Sequence, residues 1–331
     1  MKKRLHLFSN GELARESNTL VVIKKDGTKR YIPVADISSI YVFGEISLNK
    51  RLLEFLTEYN IPLHFFNYYG YYVGSYLPRR QYNAGIITLR QAEYYLDMNK
   101  RLVIARSIVK GSIRNMLVVL YYYNNRNIDM SMEIKYINDI LDGVGYCENI
   151  EELMGYEGNV REIYYQAFNK ILNDENFRYD GRVRRPPTTK INTLLSFGNS
   201  IIYVTILNEI VKTHLDPRIG YLHSTNNRKF SLNLDISEIF KPLLVDRCIF
   251  TLINKSMLNE NDFMKELNGL YLNDEGKKKF LHVFEERLNT SIIHKRLKRK
   301  ITYQGIIRME LYKLEKHLLG DEEYKPFVMQ W

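Results

Sequence analysis

A carboxylate in an unusual setting is the first candidate for chemistry in this sequence. Glu157 lies between Gly155 and Gly158, at the predicted start of a helix. Two interpretations stay open on spacing alone. Glu157 is either a catalytic or metal-binding carboxylate, or a side chain that complements the helix dipole in the first turn.

A second candidate segment concentrates arginines ahead of a rigid turn. Arg182, Arg184 and Arg185 precede the pair Pro186-Pro187, and a helix is predicted to follow. A rigid turn close to a helix N-terminus could present guanidinium groups and free backbone N–H groups to phosphate. The alternative is a solvated basic loop, because runs of charge are usually exposed faces.

The third candidate segment combines two carboxylates with an imidazole. Asp235 and Glu238 are three residues apart, which places both on one side of a predicted helix start, and His223 precedes them. Asp-x-x-Glu ahead of an apolar run is also the pattern of a capping box, with Asp235 as the N-cap and Glu238 reaching back. His223 by itself is typical of a satisfied loop or core histidine.

Taken together, these side chains favour a hard divalent cation. Cys147 and Cys248 are far apart in the sequence, so we expect two buried small hydrophobic side chains and no zinc site. Carboxylates with one imidazole suit Mg²⁺ or Mn²⁺ better than zinc. Such an ion beside phosphate-binding arginines would polarise a phosphodiester and activate water or a sugar hydroxyl for in-line attack.

The charge of the chain makes nucleic acid a serious partner. The formal net charge is +10, and a positive field attracts polyanions and releases their counterions. A second basic stretch lies much later in the sequence than the arginines near Pro186. It either contacts a phosphate backbone or is the solvated end of a helix. Its basic residues are Lys295, Arg296, Lys298, Arg299 and Lys300.

The elements that must position these residues begin with a β-rich part, predicted for residues 1–82. Residues 19–24 and 28–33 are rich in β-branched side chains and flank the pair Asp26-Gly27, which is a strong hairpin signal because both turn positions need positive φ. A strand at 37–43, a short helix at 47–59 and a strand pair at 61–66 and 71–77 complete it. Its open sheet edges favour dimerisation through this part.

From residue 88 onward the hydrophobic period changes to 3.6, so the second part is predicted to be helical. After a first long helix that ends near residue 123, helices are expected at 132–141, 160–172, 191–213, 239–254, 261–267, 274–289 and 304–319. We therefore predict an α+β protein, with a β-rich dimerisation domain at 1–82 and a larger all-α catalytic domain, binding metal and DNA, at 83–331.

Composition excludes a membrane-spanning protein. The chain has 45% hydrophobic and 26% charged residues, and no uninterrupted apolar run approaches the roughly 18 residues that cross a bilayer. The basic N-terminus lacks the continuous apolar core of a signal peptide, because His6, Ser9 and Asn10 interrupt it. We therefore expect a cytoplasmic protein.

Four short motifs follow one another along the chain. They are Tyr156-Glu157-Gly158, then Arg184-Arg-Pro-Pro-x-x-x-x-Asn192-x-Leu-Leu-Ser-Phe-Gly198, Leu215-Asp-Pro-x-Ile-Gly-x-Leu-His223 and Leu234-Asp235-x-x-Glu238-x-Phe-x-Pro-Leu-x-Val-Asp246-Arg. With these motifs the chain resembles the CRISPR-associated adaptation integrases, the first-numbered CRISPR-associated proteins. The resemblance extends over the whole chain, including the hairpin and the ending Tyr324-Lys-Pro-Phe-Val-Met-Gln-Trp331.

The resemblance implies a site, a reaction and partners. The metal ligands would be Glu157, His223 and Glu238, with Asp235 as a supporting carboxylate and Mg²⁺ or Mn²⁺ as the ion. The family's reaction is transesterification, in which a DNA 3′-hydroxyl attacks a phosphodiester at the boundary of a CRISPR repeat. The implied partners are spacer-precursor and repeat DNA, a second copy of the chain, and the small second CRISPR-associated adaptation protein.

One departure from the family pattern concerns the turn after the two prolines. The family often has an acidic residue there, whereas this chain has Thr188-Thr-Lys190, so any role of that carboxylate is either absent or taken by a threonine N-cap. Two alternatives to the integrase remain open at this level. They are a non-catalytic DNA-binding scaffold subunit and a repair nuclease that acts on branched DNA.

Overall fold

The computed structural model of the protein describes residues 2–79, 84–184, 186–225, 230–266, 268–294 and 297–330. The chain divides into two compact units, Met1–Asn83 and Ala84–Trp331. The α+β class, with a β-rich first part and a larger helical second part, is confirmed. The dimerisation and catalytic roles of the two parts stay predictions.

The first unit contains eight strands, one α-helix and one 3₁₀ turn among its described residues. The strands form two four-stranded sheets, in the orders β1-β5-β7-β8 and β4-β3-β2-β6, and apolar side chains from both sheets and from the helix share one core. The elements are β1 (Lys3–Leu7), β2 (Gly11–Glu16), β3 (Thr19–Lys24), β4 (Lys29–Pro33), β5 (Ile37–Val42), β6 (Ile46–Ser47), α1 (Lys50–Glu58), β7 (Leu63–Phe66) and β8 (Tyr72–Tyr76).

The predicted hairpin around Asp26-Gly27 is confirmed as β3 and β4. Gly27 has a φ of +80°, and its N–H donates to the Lys24 carbonyl at 2.9 Å. Leu20 pairs with Ile32 in the antiparallel register, so the alternating apolar side chains of β3 face the core. The predicted strand pair at 61–66 and 71–77 is likewise confirmed as β7 and β8.

In its described residues the second unit is mainly helical and also contains two short hairpins. The longest helix, α3, is buried along much of its length. The elements are α2 (Gly85–Leu96), α3 (Met98–Asn124), α4 (Ser131–Gly143), α5 (Ile150–Gln166), α6 (Phe168–Ile171), α7 (Lys190–Ile210), α8 (Ser231–Lys241), α9 (Arg247–Asn254), β9 (Phe263–Glu266), β10 (Gly269–Leu272), α10 (Asp274–Asn289), β11 (Ser291–His294), β12 (Arg299–Thr302) and α11 (Tyr303–Leu319).

The helix predicted at 261–267 is wrong. A single 3₁₀ turn, Glu260–Asp262, is closed by a capping box between Asn259 and Asp262, and strands β9 and β10 follow it. The sequence carries a hairpin signal here, Asn268-Gly269, which the helical reading missed. Cys147 and Cys248 are buried free thiols, as predicted. None of the described helices has the length and apolar character needed to cross a membrane.

Candidate active site

Helix α5 carries Glu157 in its interior, and not at its start. The helix begins at Ile150, where the side chain of Asn149 accepts the N–H of Glu152 at 2.8 Å. The first-turn explanation for Glu157 is therefore wrong. Among the described residues, a Cβ added at Gly155 or Gly158 would meet no atom within 4 Å apart from the backbone of its own helix and its chain neighbours, so the surface beside Glu157 is open.

Helix α8 carries Asp235 and Glu238, and the capping-box interpretation of this pair is wrong. The helix begins at Ser231, so Asp235 lies in its second turn. The fully buried Asp235 carboxylate instead accepts backbone N–H groups from the preceding loop, at 3.0 Å from Leu222 and 2.9 Å from His223. Asp235 thus fixes the loop to the helix.

The same carboxylate orients the imidazole of His223. His223 Nδ1 lies 2.9 Å from Asp235 Oδ1. Burial lowers the pKa of His223, but the hydrogen bond and the charge of Asp235 outweigh burial, so the pKa is raised above its ordinary value. Because Asp235 engages Nδ1, Nε2 is the ring nitrogen left for a ligand, which is the usual arrangement of metal-binding histidines.

Glu157 and Glu238, from two different helices, share one cation. Arg161 Nε donates to Glu157 Oε1 at 2.5 Å, and Arg161 Nη2 pairs with both carboxylates. Lys241 Nζ donates to the other oxygen of Glu238 at 2.6 Å. Burial would raise the pKa of Glu238, but Arg161 and Lys241 hold it at about 2, so this buried carboxylate is ionised.

The structure thus gathers the four predicted site residues into two neighbouring pairs. His223 and Asp235 contact each other, Glu157 and Glu238 meet through Arg161, and the charges of His223 and Glu238 act on each other. Across the part of the chain that the structure describes, no three His, Cys, Asp or Glu side chains already stand in metal-binding geometry. The donor set of two carboxylates and one imidazole nevertheless fits a hard divalent ion.

A proline explains how helix α8 is anchored at Glu238. Pro242 has no N–H, so the carbonyl of Glu238, four residues earlier, loses its helical partner, and the helix continues as a π turn over Pro242–Asp246. Helix α3 supplies the missing donors. Ser112 Oγ donates to the Glu238 carbonyl at 2.9 Å, and Asn115 Nδ2 donates to the Ile239 carbonyl at 2.9 Å.

Asn115→Ala is expected to lower the free energy of unfolding by about 2–3 kcal/mol, because it leaves several buried backbone groups without a partner. Besides the Ile239 carbonyl, the Asn115 side chain bonds the Phe327 carbonyl and the Met329 N–H, each at 2.9 Å. Urea unfolding measures the effect, with Ser107→Ala on the same helix as control. Equal stability of Asn115→Ala and wild type would contradict this account.

The structure describes two arginines of the predicted phosphate-binding segment, and their surroundings differ. Arg182 donates to Asn192 Oδ1 at 2.8 Å and to Ser196 Oγ at 3.2 Å, so its guanidinium braces the start of α7. Arg184 is exposed, and Arg185 lies outside the described residues. The threonine N-cap is confirmed, since the Thr189 side chain accepts the N–H of Asn192.

The described part of the second basic stretch belongs to a hairpin and not to a helix end, so the helix-end interpretation is wrong. Lys298, with a φ of +47°, stands in the turn between β11 and β12, and its N–H donates to the His294 carbonyl at 2.7 Å. Lys298, Arg299 and Lys300 are exposed on this hairpin. Lys295 and Arg296 lie outside the described residues. DNA contact by this stretch stays a prediction.

Comparison with known proteins decides the family. The family profile described as CRISPR associated protein Cas1 matches residues 5–286 of this chain. The chain belongs to the Cas1 family. A protein from Thermodesulfovibrio yellowstonii, named CRISPR-associated endonuclease Cas1 2, is 51% identical to it over 331 residues, covering all of both chains.

Solved structures of Cas1 proteins share the fold. A Cas1 protein from Thermotoga maritima superposes with a TM-score of 0.88 at 45% identity, covering 97% of this chain and 98% of the other. A chain of a Cas6-RT-Cas1–Cas2 complex superposes with a TM-score of 0.84 at 20% identity, covering all of this chain and 36% of the other. At that identity the second likeness shows the fold alone.

Sequence reasoning missed Arg161 and Lys241, although spacing could have found them. Arg161 is four residues after Glu157, and Lys241 is three residues after Glu238, which are the separations at which helical side chains pair. Asp246, near the end of the motif that contains Asp235 and Glu238, is a further acidic residue beside the site. It is buried close to Tyr164 and is coupled by charge to Arg161 and Lys241.

Asp246→Asn is expected to stabilise the protein more at pH 8 than at pH 5. Burial raises the pKa of Asp246 from 3.8 to about 7, although Arg161 and Lys241 partly offset it. Between these values the folded protein binds a proton that the unfolded chain does not, so the contribution of Asp246 to stability falls as the pH rises through this window. Asparagine does not titrate, so the variant keeps the stability that the wild type loses as the pH rises.

Urea unfolding of wild type and variant at both pH values measures the difference. The groups that titrate elsewhere are common to both proteins and cancel in the comparison. A stability difference that is the same at pH 5 and pH 8 would show that the pKa of Asp246 is not raised.

Proposed function

We propose that this Cas1-family chain is a divalent-metal-dependent DNA endonuclease and integrase that inserts spacer DNA into a CRISPR array. The observation that supports this most directly is the meeting of Glu157 and Glu238 on one cation, beside an imidazole held by Asp235. Carboxylates that converge from separate helices have no structural need for one another. They are well suited to hold an ion at a phosphodiester.

Each residue of the site has a distinct task in the proposed reaction. Glu157, His223 and Glu238 would hold Mg²⁺ or Mn²⁺, which when bound polarises a phosphodiester and stabilises the oxygen that leaves. Asp235 fixes the tautomer and direction of His223. The open surface beside Glu157, next to two glycines, leaves room for the DNA backbone to approach.

The bond changes of the proposed reaction balance without any further reactant. The 3′-oxygen of the spacer strand forms a new bond to the phosphorus at the repeat boundary, and the bond from that phosphorus to the repeat strand's 3′-oxygen breaks. The proton of the attacking hydroxyl ends on the leaving oxygen. With water as the attacking group, the same exchange is strand cleavage, which accounts for nuclease activity by one site.

Exposed basic side chains would hold the DNA, and the chain would work together with protein partners. Exposed Arg184 and the basic hairpin would contact phosphates, while Arg182 would act mainly by shaping the start of α7. We propose Cas2 as the protein partner, in line with the solved Cas6-RT-Cas1–Cas2 complex. We also propose a homodimer through the β-rich unit, and a cytoplasmic location.

The test is integration of a short duplex with free 3′-hydroxyl ends into a plasmid that carries a CRISPR repeat, with Cas2 present. Joining is expected in Mg²⁺ or Mn²⁺ and not in excess chelator. DNA binding that is unaffected by metal, with no joining under any condition, would favour the scaffold alternative. Joining or cleavage that ignores the repeat sequence would favour the branched-DNA nuclease.

A further inference from the structure

Arg161 occupies the space between the two carboxylates that the proposed function assigns to the metal. Its side chain is 13% exposed, and its guanidinium pairs with Glu157 from its own helix and with Glu238 from α8. Lys241 engages Glu238 on the opposite oxygen. Arg161 is therefore the residue that links the two carboxylates in the described site.

Electrostatics explains why a metal-free site of this composition needs such a residue. Two carboxylates that converge in a largely buried position repel each other when both carry charge, and a buried charge without a partner is strongly destabilising. The planar guanidinium fork can satisfy a carboxylate on each side. A divalent ion bound by the same oxygens would take over this neutralising role.

We propose that Arg161 is a built-in counter-cation, which holds Glu157 and Glu238 in the metal-free protein and must leave them when Mg²⁺ or Mn²⁺ binds. The inference rests on the proposed metal site and adds a competitor to it. Arg161 Nη2 pairs with Glu157 Oε1 and with Glu238 Oε2, and a metal ion held by these two oxygens would take the same place, so binding of one displaces the other. The protein thus stays folded without metal at the cost of weaker metal binding.

The surroundings of Arg161 offer a place for the displaced guanidinium. Its Nη1 already lies 3.5 Å from the hydroxyl of Tyr165, and its central carbon lies 5.9 Å from the centre of that ring. Of the charges that act on the buried Asp246, that of Arg161 has the largest effect, and Asp246 Oδ2 has no hydrogen-bond partner among the described residues. A shift of the side chain toward these groups would free both ligand carboxylates.

The decisive experiment measures Mn²⁺ binding in the absence of DNA, so that catalysis plays no part. Free Mn²⁺ is followed by its EPR signal in wild type, Arg161→Gln and Arg161→Lys. The matched control is Arg178→Gln, which removes the same charge from an exposed ion pair with Asp180 at 3.1 Å. Melting temperatures with and without Mn²⁺ are recorded for each protein.

Arg161→Gln is expected to bind Mn²⁺ about tenfold more tightly than wild type, because no ion pair has to be broken first. Its melting temperature without metal should fall, and Mn²⁺ should raise it by more than in wild type. The Mn²⁺ affinity of Arg161→Lys should lie between those of wild type and Arg161→Gln, since a single ammonium group bridges two carboxylates less well than a planar guanidinium. The control should match wild type.

Equal or weaker Mn²⁺ binding by Arg161→Gln, with clear binding by wild type, would overturn the inference and leave the proposed function intact. Absence of site-specific Mn²⁺ binding in all of the proteins would overturn both. If Arg161→Gln fails to fold, the side-chain Nε–H resonance of Arg161 in the wild type decides. It must shift when Mg²⁺ is added, and an unchanged resonance in protein shown to bind Mg²⁺ would refute the displacement.

Discussion

Glu157→Gln is expected to lower metal-dependent strand joining by at least about 100-fold, because changes even to the partners of metal ligands cost 10–100-fold. Glutamine keeps the shape of the side chain and removes the charge that a divalent ion needs. The folded protein should persist, since Arg161 retains Glu238 as a partner. The integration assay with Cas2 measures the effect, and DNA binding is measured in parallel.

The comparison needs a control on the same helix. Glu151 is exposed in the first turn of α5, so Glu151→Gln makes the same chemical change away from the site. Its joining rate should match that of wild type. Full joining by Glu157→Gln would remove this carboxylate from the proposed ligand set. Loss of DNA binding together with joining would instead indicate that Glu157 supports the binding surface.

Asp235→Asn is expected to damage stability and activity together. The Asp235 carboxylate accepts three consecutive backbone N–H groups, from Tyr221, Leu222 and His223, and also contacts His223 Nδ1. Asparagine offers one acceptor oxygen and points an NH₂ group at donors. We expect the free energy of unfolding to fall by about 2–4 kcal/mol and joining to fall by about 10–100-fold.

Urea unfolding and the integration assay measure these two effects. Asp216→Asn is the matched control, because Asp216 belongs to the same loop and its carboxylate pairs with the exposed Arg218 instead of with His223. A variant with wild-type stability and reduced joining would mean that Asp235 acts only through His223. Unchanged joining in a folded variant would contradict the orienting role altogether.

The sequence determined the features that depend on neighbouring residues. The hairpin at Asp26-Gly27, the N-cap at Thr189 and helix α10, with the predicted bounds 274–289, all follow from local turn chemistry and from the period of apolar side chains. The candidate carboxylates and His223 were also identified from their types and spacing. The family resemblance implied that these residues lie together in the folded chain. The structure gives the contacts and distances between them.

The tertiary structure decided what depends on residues far apart in the chain. Glu157 and Asp235 each had a sound local explanation, a helix dipole and a capping box, and both failed because the helices begin earlier than the pattern indicated. The carbonyl that Pro242 leaves unpaired is satisfied by Ser112, more than a hundred residues earlier. No local rule predicts such a donor.

The same distinction governs the charges of the site. A carboxylate four residues before an arginine predicts a local ion pair, and Glu157 with Arg161 is such a pair. That Arg161 also reaches Glu238 depends on how α5 and α8 approach each other in the folded chain. The interaction energy between Arg161 and the two carboxylates depends on the medium around them. Only folding buries these groups, so only the tertiary structure sets that energy.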